Sequence, residues 1–140
     1  MASVIGRDFV FRVLEGITGM RDELKSYLLY LQKSEFIYEK RLFPELEYIF
    51  KHALIQEVAY ESLLVKKRKE IHERIGHAIE EIYPERLEEF YEVLAHHYSE
   101  SENKEKAVKY LKLAADKALR SHSLWEAFKF TRKRLAFSVI

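Results

Sequence analysis

Phe36-Ile37-Tyr38-Glu39-Lys40-Arg41-Leu42-Phe43-Pro44-Glu45-Leu46-Glu47-Tyr48-Ile49-Phe50 is where the character of this chain changes. Its two ends, Phe36–Glu39 and Leu46–Phe50, are short, aromatic and β-branched, and the segment between them holds Pro44. That pattern predicts a small antiparallel hairpin. Two strands alone are marginal in water, so the hairpin must lean on helices.

Helices are expected on both sides. Upstream, Phe9, Val13 and Ile17, with Val10 and Leu14 beside them, make one face of a helix from about Arg7 to Ile17. Thr18-Gly19 breaks it. Asp22 and Glu23 then open a second helix, where the dipole favours acids. Leu24, Tyr27, Leu28 and Leu31 are its expected buried face, and it ends near Lys33. Helix, helix, hairpin is a winged-helix-like order.

Downstream, everything reads as helix. Leu54, Ile55, Val58, Ala59 and Leu63 line one; Ile71, Ile75, Ala78, Ile79 and Ile82 line another. Pro84 sits where a new helix would begin, and its missing N–H is harmless there. Leu87, Phe90, Tyr91, Leu94, Ala95 and Tyr98 form that helix's stripe. Residues 99–103 make a turn with Asn103 as N-cap. Ser123 with Glu126 fits a capping box opening a last helix through Phe128 to Leu135. Ala95, Tyr98 and Ala107 are echoed 20 positions later by Ala115, Ala118 and Ala127. With Tyr91, Leu94, Leu111 and Ala114, the first set matches the tetratricopeptide pattern.

The fold class expected is therefore mainly α. Residues 1–65 form a winged-helix-like subdomain with a small β-hairpin, and residues 66–140 form antiparallel tetratricopeptide-like helices. A chain of 140 residues with 48% apolar and 34% charged side chains can hold a core without staples.

Composition also excludes several chemistries. With no cysteine, disulfides and thiolate metal sites are ruled out. No apolar run approaches the ~18 residues of a membrane span, and the N-terminus lacks the order of a signal peptide, so the cytoplasm is the expected compartment. The net charge is +1. Residues 1–65 hold 8 basic and 10 acidic side chains, residues 66–140 hold 16 and 13, and neither half is strongly basic. A general electrostatic pull toward nucleic acid or anionic membrane is absent.

The only glycines are Gly6, Gly16, Gly19 and Gly76, and none belongs to a phosphate-cradling loop, so no nucleotide is expected. Six histidines, His52, His72, His77, His96, His97 and His122, are the possible imidazole ligands for a metal. A helical pair needs spacing of three or four to share a face. His72 and His77 are five apart, and His96 and His97 are neighbours, so no metal is expected. The serines are largely explained by caps and turns. Carboxylates such as Glu80-Glu81 and Glu88-Glu89 read as solvated helix faces. No catalytic residue and no cofactor is expected.

Lys66-Lys67-Arg68-Lys69 is the densest basic cluster. A solvated helix start accounts for it; the alternative is a phosphate grip, and Lys66, Lys67, Arg68 and Lys69 are the candidate interaction residues. Four charges neutralise few phosphates. DNA readout would fall to the second helix, residues 20–33, where Arg21, Lys25 and Lys33 are offset by Asp22 and Glu23.

A family resemblance rests on Val4-Ile5-Gly6-Arg7-Asp8-Phe9, on Leu31-Gln32-Lys33-Ser34-Glu35-Phe36-Ile37-Tyr38-Glu39, and above all on Phe50-Lys51-His52-Ala53-Leu54-Ile55-Gln56-Glu57-Val58-Ala59-Tyr60-Glu61-Ser62-Leu63-Leu64. Ile71-His72-Glu73-Arg74-Ile75 and Leu94-Ala95-His96-His97-Tyr98 continue it. The chain resembles the region that follows the ATPase core in large bacterial STAND-type (AAA-like) ATPases. Many of these are fused to class III adenylate or guanylate cyclases, to kinases or to DNA-binding regulators. The resemblance implies a winged-helix-like subdomain leading into tetratricopeptide-like helices, with the Walker motifs upstream. ATPase activity does not carry over to this chain. One departure concerns the loop before the hairpin: a commoner Glu-Ala-Gly-Leu stands here as Lys33-Ser34-Glu35-Phe36. Val139-Ile140, straight after a helix, reads as a cut within a longer helical array.

The expected role is a non-catalytic regulatory or protein–protein interaction segment of a larger signalling ATPase. Its partners would be proteins or other domains of the parent chain, with no nucleotide and no membrane. The competing readings are a DNA-binding winged-helix module, in which nucleic acid is the less favoured partner, and an enzyme fragment whose site is completed elsewhere.

Overall fold

The computed structural model describes residues 1–138. Val139 and Ile140, and with them the reading of a cut in a longer array, lie outside the described residues. Among the described residues the chain is mainly helical with one small antiparallel sheet. In order it runs α1 (Ala2–Ile5), β1 (Asp8–Val10), α2 (Phe11–Thr18), α3 (Asp22–Lys33), β2 (Ile37–Arg41), β3 (Glu47–Phe50), α4 (Ala53–Glu61) and α5 (Val65–Ile82). A 3₁₀ turn (Leu87–Phe90), α6 (Tyr91–Glu100), α7 (Lys104–Arg120) and α8 (Leu124–Ser138) follow.

The hairpin forms where the hydrophobic pattern changes, but the sheet has a third strand. Its order is β1-β3-β2, all antiparallel. Phe9 lies opposite Tyr48, and Ile37 opposite Phe50. The helix expected from about Arg7 is therefore α2, and it begins at Phe11. The cause is non-local: pairing with β1 satisfies the free edge of β3. Phe9 stacks on Tyr48 (5.6 Å between ring centroids) and packs against Phe50 (5.5 Å). On the other edge, β2 buries only Ile37 and presents Tyr38, Glu39, Lys40 and Arg41 outward. Charges there discourage further strand pairing.

The loop entering the hairpin has a specific geometry. Glu35 adopts φ 61°, the left-handed conformation favoured by glycine. Phe36 N–H then donates to the Leu31 carbonyl and Glu35 N–H to the Gln32 carbonyl, closing α3.

α5 organises the core. Ile71, Ile75, Ala78 and Ile79 are buried, and α5 packs on α1 and α2 to one side and on α6 to the other. One hydrophobic cluster accordingly runs from Val4 through Ile75 to Ala114, across the 65/66 boundary. α6, α7 and α8 stack in sequence, joined through residues 101–103 and 121–123. Lys117 pairs with Glu92 (3.1 Å) and Arg120 with Glu88 (2.8 Å), so α7 runs antiparallel to α6. Ala95, Ala107, Ala114, Ala115, Ala118 and Ala127 are all buried, as close helix approach requires. Asn103 caps α7, its Oδ1 accepting from Lys106 N–H at 3.1 Å.

Two expected buried faces are met only in part: on α3, Leu24 and Leu28 are buried and Leu31 packs against the core. Tyr27 on α3 is 60% exposed. More consequentially, α4 buries none of its residues, although Leu54 and Val58 were expected in its core stripe. Ile55, Ala59 and Leu63 of the stripe are half-buried, Ile55 and Leu63 against the core, whereas Leu54 and Val58 stand exposed.

Candidate functional site

Three local arrangements merit functional scrutiny. The first is the exposed part of that stripe. Leu54 is 67% and Val58 60% exposed. With Ile55, they flank an open groove of about 610 Å³ whose other walls include Leu31, Phe36 and Phe50. The groove is almost wholly apolar in its named lining. α4 is held beneath it by few polar contacts: Gln56 Nε2 donates to the Ser3 carbonyl at 2.6 Å, and the Tyr60 hydroxyl meets His72 Nε2 at 3.0 Å. The Arg68 guanidinium lies 4.9 Å from the centre of the Tyr60 ring. Contiguous exposed apolar surface of this kind marks interaction sites.

The second is the basic run. Lys66, Lys67, Arg68 and Lys69 fall in the first turn of α5, where the helix dipole offers them no support. They do not form one patch. Lys67 pairs with Glu70 (3.6 Å), Lys69 with Glu102 of the α6–α7 turn (3.5 Å), and Arg68 is drawn over Tyr60. The geometry leaves Lys66 and Lys67 as the exposed members of a locally neutralised surface.

The third arrangement spans two helices, so spacing within a single helix does not reveal it. His72 of α5 and His97 of α6 are both buried, with their Nδ1 atoms 2.9 Å apart. The exposed ring of His96 lies 5.8 Å from His72 and 5.1 Å from His97, centroid to centroid. One ligand nitrogen from each of the three falls within 4.8 Å of the others. Burial pulls His97 down to about 3 and His72 to about 4, with like-charge neighbours adding to the effect. His96 is also lowered by burial. Both buried rings are neutral at pH 7, and a single N–H···N bond joins them. A signal was present in the sequence: His72 borders the Ile71–Ile75 stripe and His97 the Leu94–Tyr98 stripe. A polar residue on the apolar face of each of two helices is a candidate pair.

A hydrogen-bond network centred on the Glu80 carboxylate is structural. Lys106 Nζ donates to both Glu80 oxygens (2.7 and 2.8 Å), the Tyr110 hydroxyl donates at 2.6 Å, and the Tyr98 hydroxyl donates to Oε1. Burial alone would push Glu80 up; the bonds from Lys106, Tyr110 and Tyr98 outweigh it and hold it at about 2. Tyr98 and Tyr110 are raised, by burial first and the Glu80 charge second. Every oxygen of this network is engaged in holding α5, α6 and α7 together.

No protein-family model, curated protein or solved structure matches this chain.

Proposed function

We propose that this chain is a non-catalytic docking segment of a larger signalling ATPase of the STAND type, consistent with the resemblance carried by Phe50–Leu64. Its winged-helix-like part packs on the nucleotide-binding core of the parent chain through the α4 groove. The tetratricopeptide-like helices α6–α8 carry protein contacts.

The observation that carries this reading is an apolar helix, α4, with no buried residue, set beside a groove walled by Leu31, Phe36 and Phe50. Monomeric folds rarely leave large contiguous apolar patches exposed, and those that occur mark interaction sites. Supporting it, residue 35 takes the left-handed conformation that the glycine of the commoner Glu-Ala-Gly-Leu would take without strain. The departure at Lys33–Phe36 thus changes the residue and keeps the turn.

DNA binding has less behind it. Asp22 and Glu23 occupy the first turn of α3, and Tyr27 and Tyr30 dominate its exposed face. Enzymatic function has no arranged nucleophile and base to rest on among the described residues.

The test is a double substitution, Leu54→Glu with Val58→Glu, made in the full-length parent. Both side chains are exposed in the isolated chain, so its stability should move by no more than ~0.5 kcal/mol. In the parent, docking should be lost, read as faster amide exchange over residues 53–61 than in the unsubstituted parent. If the parent reading frame encodes no P-loop core, or if exchange over 53–61 is the same in isolated chain and parent, the docking reading is wrong.

A further inference from the structure

We propose that His72, His96 and His97 form a three-imidazole site for a borderline divalent transition-metal ion such as Zn²⁺, tying α5 to α6. This stands apart from the docking reading and rests on different residues.

Histidine pairs in one helix are the usual starting point for such sites, and this one is built across two. The Nδ1 atoms of His72 and His97 are 2.9 Å apart. One ring nitrogen from each of His72, His96 and His97 lies within 4.8 Å of the other two. Three nitrogens bound to one tetrahedral ion at ~2.0–2.1 Å must lie ~3.3–3.5 Å apart, a side-chain adjustment on the order of 1 Å from this arrangement. The His72–His97 hydrogen bond accounts for two of the rings. It gives no role to the third, whose ring stands edge-on to His72 at 88° and to His97 at 61°. A shared ion accounts for all three.

The surroundings fit a metal ligand set in one further way. The Tyr60 hydroxyl lies 3.0 Å from His72 Nε2 and can accept from it when Nδ1 is given to the ion. That is the outer-shell contact by which metal-bound histidines are fixed in one tautomer. The proton held between the two Nδ1 atoms moves to Nε2 of its own ring, and none is released. Among neighbouring charges, Glu100 near His96 favours a cation, whereas Arg68 near His72 and Lys133 near His96 oppose one. An all-imidazole set without carboxylate or thiolate selects Zn²⁺, Co²⁺, Ni²⁺ or Cu²⁺ over Mg²⁺ and Ca²⁺. Exposure of His96 leaves the fourth position to water.

The experiment uses the tag-free chain stripped of metal and titrated with Zn²⁺ against a chromophoric chelator, with Co²⁺ followed by visible absorption. One ion per chain is expected, with a rise in Tm that Mg²⁺ and Ca²⁺ do not produce. His96→Gln, at an exposed position, should leave metal-free folding intact and weaken Zn²⁺ binding by more than ~100-fold, beyond what an outer-shell change does. Tyr60→Phe should weaken it ~10-fold. His77→Gln, which alters an exposed histidine near Glu73 and Glu80, should change nothing. If the chain takes up no zinc, or if His96→Gln weakens uptake by less than ~10-fold, the proposal is overturned. A loss with His77→Gln equal to that with His96→Gln also overturns it, because the ion would then sit elsewhere.

Discussion

The backbone of Gly76 lies against the face of Tyr98: a Cβ at residue 76 would fall 2.5 Å from Cζ and 2.7 Å from Cε2 of that ring. The ring cannot retreat. It is fully buried, stacked at 5.6 Å on Tyr110, and its hydroxyl is held by Glu80. Mid-helix glycine usually costs ~1 kcal/mol relative to alanine. Here the close approach of α5 and α6 requires it.

Gly76→Ala should therefore destabilise the fold despite its better helix propensity. The clash is an overpacking of ~1–3 kcal/mol, which exceeds the propensity gain at the upper end of that range. Urea unfolding monitored at the far-ultraviolet helix signal measures it; a stabilised variant would show that the α5–α6 contact is looser than described.

Glu35→Gly should act in the opposite direction. A side chain in the left-handed region costs ~1–2 kcal/mol, partly offset by the greater unfolded freedom of glycine. A net gain of ~0.5–1 kcal/mol is expected. The exposed pair with Lys51, at 3.6 Å, contributes little to weigh against it. A thermal melt of the variant decides.

Ala95→Leu and Ala107→Leu should each cost ~1–3 kcal/mol, since both positions are closed to solvent where α6 meets α7. If both variants melt where the parent chain does, the close packing of these helices is not as described.

Glu80 sets an acid limit. Its carboxyl is held at about 2 in the fold against 4.5 in the unfolded chain, so its contribution is complete above pH 4.5. That contribution is lost progressively as pH falls from 4.5 toward 2, where the folded state no longer binds fewer protons than the unfolded one. Glu80→Gln should lower stability at pH 7 by ~1.5–3 kcal/mol, the order of a charge-assisted bond, and flatten the pH profile across that window. Denaturation midpoints at several pH values test the slope.

Local patterns made much of this fold legible. Ile71, Ile75 and Ile79 announce α5, Asn103 announces the start of α7, and the aromatic ends of 36–50 announce the hairpin. What escaped depends on partners distant in the chain. Phe9 and Val10 fit a helical stripe as well as a strand, and only Tyr48 opposite Phe9 decides between them. Leu54 and Val58 make a sound amphipathic stripe, but periodicity says which residues share a face, not whether anything lies against it. His72 and His97 meet because α5 packs on α6, a fact that spacing along either helix does not encode.

Tyr60 has a consequence in time as well as in space. α4 has no fully buried side chain; it is attached by half-buried Ile55 and by the Tyr60 phenol between His72 and Arg68, with the Gln56–Ser3 bond beside them. Such a segment opens on its own, at a small fraction of the free energy needed to unfold α5 or α7. Its amides should trade protons with solvent first, and any partner seated on it would be felt as a clock slowed at residues 53–61 before a change is seen anywhere else.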